Sequence, residues 1–176
     1  MLQKSPTMDN VALRPTAPSD IENIIKMERD ADNIPFIRQW SADKHRAAIG
    51  DANIAHLVIE TSKEKRIVGY AILIGLDNPD KSVEFKRLVI NEKGKGYGRK
   101  AMQMVKKYAF ENLKIHRLWL EVLENNSRAF QLYKSEGFII EGTHRESMRQ
   151  GDKFLSLIVM SLLSHEYETS QSEGNQ

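Results

Sequence analysis

The sequence predicts a single-domain α/β protein built on a mixed sheet, and three observations carry that expectation. Apolar, β-branched runs lead the chain: IAHLVIE (54–60), IVGYAILI (67–74) and VEFKRLVI (83–90). A strand–helix–strand succession follows, from VEFKRLVI through a helical pattern over 97–112 to HRLWLEV (116–122). Such a crossover makes its two strands parallel neighbours. FIIEG with HRESMR, a QGDK turn and FLSLIVMSL then close the chain as antiparallel strands. The 176 residues suit one domain over 11–163, with residues 1–10 and 164–176 as mobile ends.

Each element has a local reason. VALR (11–14) is a short strand. Ser19 opens a helix, with Glu22 three residues later as a capping box and Ile21, Ile24 and Ile25 on one face. NIPFIRQW (33–40) is a loop or broken helix. Ser41 caps a second short helix that ends at Gly50. TSKEKR is a polar hairpin loop between 54–60 and 67–74. The 97–112 helix puts Ala101, Met104, Val105 and Tyr108 on one side. Asn126 precedes the helix SRAFQLYKSE, which stops at Gly137, the residue type that best accepts a left-handed backbone. FLSLIVM reads equally as a central strand or as one that pairs across a homodimer.

Composition removes whole classes of function. Hydrophobic residues are 40% and charged residues 28%, a globular balance. A formal net charge of +2 is small for a general nucleic-acid binder. With no cysteine there is no disulfide, thiolate metal site or cysteine nucleophile, which fits a reducing cytoplasm. The longest apolar run, FLSLIVMSLL, is too short to span a bilayer, and the N-terminus has no signal-peptide core. The five histidines show no metal-ligand spacing, and no nucleophile elbow occurs. They read as scattered surface or half-buried residues.

The turn NEKGKGYGRKAM (91–102) is the strongest local signal. A Rossmann fingerprint requires glycine at position 99, where Arg99 stands, and a Walker A loop requires Lys then Ser or Thr. Both fail. An anion site survives on physical grounds: glycines let backbone approach a ligand, and the following helix offers unpaired N–H groups at the positive end of its dipole. From 86 to 107 there are eight basic residues and one acid, Glu92. A solvated corner with a basic face is the other reading.

Downstream, Asn126, Ala129, Leu132, Tyr133, Gly137 and Phe138 spell N-x-x-A-x-x-L-Y-x-x-x-G-F. Taken with the glycine turn, this resembles the GNAT superfamily of acyl-CoA-dependent N-acetyltransferases, whose members carry a Q/R-x-x-G-x-G/A turn before such a helix. Lys93, Gly96 and Gly98 occupy the turn positions. The resemblance covers about residues 11–163. The chain's ending is similar to the branch holding ribosomal-protein N-terminal acetyltransferases and spermidine acetyltransferases. Lys93 stands where Gln or Arg is usual, the turn is about one residue shorter, and Phe154 and Ser156 replace a frequent Tyr and Asp.

The resemblance implies a twisted mixed sheet with helices on both faces, acetyl-CoA as co-substrate, and no metal. By it, the N–H groups of Gly94, Lys95, Gly96, Tyr97, Gly98 and Arg99, beside Lys93, hold the pyrophosphate. Leu88, Val89 and Ile90 pair with the pantetheine arm, and Asn126 caps its helix, contacts the arm, or does both. Tyr133 is the expected acid for the leaving thiolate, against a plain core tyrosine. Glu84 is the expected base, with Glu121 as another strand carboxylate and bulk water as an alternative. The acceptor is a protein N-terminal amine or a small amine such as a polyamine. Glu28, Asp30 and Asp32 are close together, as a polyamine pocket or a solvated helix end. A non-catalytic acyl-CoA sensor is the competing function.

Overall fold

The computed structural model describes residues 10–173. Of the expected mobile N-terminus, 1–9 lie outside the described residues, and the Asn10 carbonyl accepts from the Ser62 amide at 2.7 Å. Seven strands form one sheet: β1 Val11–Pro15, β2 Ile54–Thr61, β3 Ile67–Ile74, β4 Ser82–Ile90, β5 Arg117–Leu123, β6 Ile139–Gln150 and β7 Lys153–Leu163. Their spatial order is β1-β2-β3-β4-β5-β7-β6, and every pairing is antiparallel except β4 with β5. The crossover between those two strands is the predicted one. From Leu157 onward β7 has strands on both sides, so the LIVM part of FLSLIVM is internal to the sheet.

The helices are α1 Ile21–Glu28, α2 Ala42–Ile49, α3 Tyr97–Lys107, α4 Ser127–Ser135 and α5 Ser164–Glu173. Each sheet face buries a different apolar set. Met102, Val105, Phe110 and Tyr133 cover Leu57, Leu73, Val83, Phe85, Leu118 and Leu120 on one face. Ile24 and Met27 cover Val58, Tyr70, Ile72 and Val89 on the other.

A β-bulge decides how β4 serves both faces. Ile72 faces Arg87 and Leu73 faces Phe85, which leaves Lys86 as the extra residue. Strict alternation would put Phe85 and Arg87 on one face. With the bulge, Phe85 joins the α3 side and Val89 the α1 side.

Four local expectations are corrected. Ser19 does not cap α1. A 3-10 turn over Pro18–Asp20 precedes the helix, and the Asp20 carboxylate takes the Ala17 amide at 2.8 Å and Arg14 at 2.7 Å, while Glu22 pairs with Lys26. The 97–112 helix is α-helical only to Lys107 and widens into a π turn over Tyr108–Asn112. Its buried face runs through Tyr97, Ala101, Met102 and Val105, with Met104 and Tyr108 half-buried at the margin. The expected tail at 164–176 is helical to Glu173, because Tyr167 buries itself, stacks on Phe110 at 4.9 Å and donates to Glu111 at 2.8 Å. Ser41 does cap α2, accepting from the Lys44 amide at 3.2 Å.

Candidate active site

β4 and β5 pair only at Ser82–Glu84 with Arg117–Trp119 and then diverge. β4 stays paired to β3 as far as Ile90, and β5 to β7 as far as Leu123. Between them opens a cleft of about 970 Å³. Along it, every second residue of β4 after Glu84 directs its backbone groups toward no strand partner among the described residues. Such an edge is a template for an extended ligand. Leu88, Val89 and Ile90 line it, and Glu84 stands where the strands part.

The glycine turn closes one end. Gly94 and Gly96 have φ of 81° and 73°, the left-handed region where a side chain is strained. Gly96 is the residue before α3, so the turn over 91–96 leads from the strand into the helix and leaves the unpaired N–H groups of its first turn beside the cleft. Gly94, Gly96, Tyr97, Gly98 and Arg99 all line it, as does Lys93. Burial lowers the Lys93 pKa, and its ammonium lies 3.9 Å from Asp32. Lys95 is the exception among the expected residues. Its side chain does not line the cleft and pairs with Glu92 at 2.6 Å, while its backbone stays part of the turn.

α4 supplies the opposite wall. Asn126 accepts from the Ala129 amide at 3.2 Å and also lines the cleft, so its N-cap and its exposure to a ligand coexist. Tyr133 is buried against Phe85 and Phe138, with ring centroids 6.2 and 5.9 Å away, yet reaches the cleft. Its phenol has no hydrogen-bond partner among the described residues, and burial pushes its pKa above the ordinary value. Core packing and cleft lining are thus both true of this side chain. Glu121 lines the cleft and holds His144 at 2.8 Å.

Sequence reasoning missed the group beneath the remaining wall. Glu28 is 1% exposed. Its Oε1 accepts from Tyr70 at 2.5 Å and Arg87 at 2.6 Å, and its Oε2 accepts from the Trp40 amide at 2.9 Å. Arg87 also donates to the Arg38 carbonyl at 2.6 Å. These bonds fix residues 38–40, of which Arg38 and Trp40 line the cleft together with Asn33, Phe36 and Ile37. His45 Nε2 is 3.2 Å from Glu28 without an aligned hydrogen bond, and His45 continues through His56 to Thr16 at 3.0 and 2.8 Å. Both histidines are buried, not surface residues.

Burial by itself would raise the Glu28 carboxyl. His45, Tyr70, the Trp40 amide and Arg87 outweigh it and hold the carboxyl below the usual range. Burial, then the charges of His45 and Arg87, pushes His56 down to about 4. One signal was available in the sequence: Glu28 continues the Ile21 and Ile24 spacing on the buried face of α1. Glu28 is therefore no part of an acidic pocket. Phe154 is exposed and outside the cleft.

Among the described residues, no group of three metal-ligating side chains occurs, and no helix is long and apolar enough to cross a membrane. Residues 10–139 match the family model described as acetyltransferase (GNAT) domain. Spermidine N(1)-acetyltransferase of Escherichia coli K12 is 23% identical over 92% of this chain and 90% of its own. A spermine/spermidine N(1)-acetyltransferase of Bacillus subtilis is 34% identical over 45% of this chain and 57% of its own. The fold matches the crystal structure of spermidine N-acetyltransferase from Vibrio cholerae in complex with CoA and spermine. The TM-score is 0.81 at 24% identity, over 90% of this chain and 98% of that one.

Proposed function

The chain belongs to the GNAT family and is an acetyl-CoA-dependent N-acetyltransferase, and we propose that it moves the acetyl group directly to a primary amine in a ternary complex. One observation carries the site assignment: the unpaired β4 edge runs from a glycine turn at a helix N-terminus to the wall that holds Tyr133. The N–H groups from Gly94 to Arg99 hold the pyrophosphate, with Lys93 alongside. Leu88 to Ile90 pair with the pantetheine arm, and Asn126 contacts it. A main-chain N–H at Val89 or its neighbour faces the thioester oxygen, a donor worth about 3 kcal/mol in the transition state.

The neutral amine attacks the thioester carbonyl. A C–N bond forms, the C–S bond breaks, and the electron pair leaves on sulfur. The thiolate takes the Tyr133 proton, which solvent replaces. Desolvation raises the proton affinity of phenolate and thiolate alike, so a buried pair stays matched. The surplus proton on nitrogen goes to Glu84 through water, or to bulk water directly.

The acceptor is a small amine or a protein N-terminus, and relatives named for spermidine and spermine put small amines first. The catalytic unit spans 11–163. A cytoplasmic setting, where acetyl-CoA is at hand, fits this reading. A homodimer, if formed, has the outer edge of β6 to use rather than β7.

A thiol-release assay over polyamines, aminoglycosides and free peptides tests the activity. Gly96→Val should abolish acetyl-CoA binding in calorimetry, and wild-type affinity would remove the phosphate cradle. Acetyl-CoA binding with no turnover on any amine would point to a sensor.

A further inference from the structure

The cleft is poorly equipped for a second positive charge on its acceptor. Glu28, the most promising early acid, is sealed under the wall and held by Arg87 and Tyr70. The carboxylates that do line the cleft each carry a cation or a histidine already. Asp32 lies near Lys93, and Glu92 is paired with Arg66 and Lys95. Glu84 holds Lys86 at 3.0 Å, and Glu121 holds His144.

The wall over residues 36–44 has the opposite balance. Arg38 and Lys44 line the cleft there and form no ion pair among the described residues. Trp40, the aromatic face that an ammonium would seek, has Lys44 at 4.3 Å and Arg87 at 4.9 Å from its ring centroid. The bonds from Glu28 and Arg87 to the Trp40 amide and Arg38 carbonyl hold this cationic wall in place.

We propose that Arg38 and Lys44 select an acceptor amine that also bears an anionic group, a carboxylate or phosphate, and disfavour polycationic amines. The inference rests on the transferase reading of the cleft and concerns only its acceptor end. The reacting amine reaches Glu84 and Glu121, and the anion meets Arg38 and Lys44 on the facing wall.

The test is a matched set of acceptors, 4-aminobutyrate, butylamine and 1,4-diaminobutane, with phosphoethanolamine and ethanolamine as the phosphate pair and spermidine as the polycation. The full chain is assayed for thiol release with acetyl-CoA, and acceptor binding is measured by calorimetry with CoA present. Each exposed pair contributes modestly, so wild type should prefer the anionic over the dicationic amine by about tenfold in kcat/KM. Arg38→Gln/Lys44→Gln should erase that preference. The ratio is taken within each variant, so a partly folded sample does not distort it. 4-Aminobutyrate and phosphoethanolamine separate carboxylate from phosphate as the favoured anion.

Preference for spermidine in wild type, or a ratio unmoved by the double variant, overturns the proposal and leaves the transferase reading standing. Arg38-dependent binding of anionic amines without acetyl transfer does the reverse. Binding blind to charge, with no transfer, sinks both.

Discussion

Along β4 and the glycine turn the cleft presents main-chain N–H groups and left-handed glycines, whereas along residues 33–44 it presents side chains anchored from beneath by Glu28 and Arg87. The first wall suits a ligand whose shape is fixed, because backbone geometry repeats wherever the same turn is made. The second can change specificity by exchanging one exposed side chain, provided the buried ion pair keeps the loop in register. On the proposed reading, the backbone-built wall takes acetyl-CoA and the side-chain wall takes the acceptor.

Removing the anchor tests this contrast most severely. Arg87→Met strands the Glu28 carboxylate without its cation, and breaking a buried pair in this way costs about 3–5 kcal/mol. Denaturant unfolding should show that loss, and Glu28→Gln/Arg87→Met together should recover much of it. A midpoint unchanged in the single variant would mean that the pair does not anchor the wall.

On the cofactor side, Tyr133→Phe keeps the ring that packs on Phe85 and Phe138 and removes only the hydroxyl that carries the proton. Turnover should fall by about a hundredfold or more while acetyl-CoA affinity stays near wild type. Equal turnover would leave Tyr133 as core alone. Asn126→Ala removes the N-cap of α4 and should destabilise by about 1 kcal/mol. A rise in the KM for acetyl-CoA beyond what unfolding explains would show a second bond to the arm.

The anchored side should also show a pH dependence. His56 is held neutral in the folded chain, with its pKa pushed down to about 4, against about 6.5 when unfolded. Between those values the unfolded chain binds the additional proton. Stability therefore falls as pH drops from 6.5 toward 4, and this contribution levels off below. Thermal melts across that window should show the slope, and His56→Gln should flatten it. A melting temperature constant from pH 7 to 5 would contradict the burial of His56.

The cofactor wall was legible in sequence because its signals are local. Left-handed backbone demands glycine at 94 and 96, and a helix start demands a cap such as Asn126. A motif gives the turn but not the direction of each side chain: that of Lys95 pairs with Glu92 and does not line the cleft. The resemblance pointed to NIPFIRQW as part of the acceptor wall, but the anchor beneath it was illegible because Tyr70 and Arg87 are 42 and 59 residues from Glu28 in the chain. His45 and His56 read as scattered, and Glu28 as one of an acidic cluster, a polyamine pocket or a solvated helix end. Only packing shows that they share one buried site. Tyr167 was missed likewise, because the partner that orders α5, Phe110, lies on a π turn that periodicity does not foresee.

By itself the sequence determined the strand order of the crossover, the glycine turn with its helix, and the α4 motif, since each rests on backbone preferences acting within a few residues. The tertiary structure alone decided which face Arg87 serves, through the bulge at Lys86, and whether FLSLIVM ends inside the sheet. It also decided which carboxylates remain for a ligand once the chain's own cations have paired. Those outcomes depend on side-chain packing, ion pairing and strand neighbours between segments distant in the chain, which local pattern does not encode.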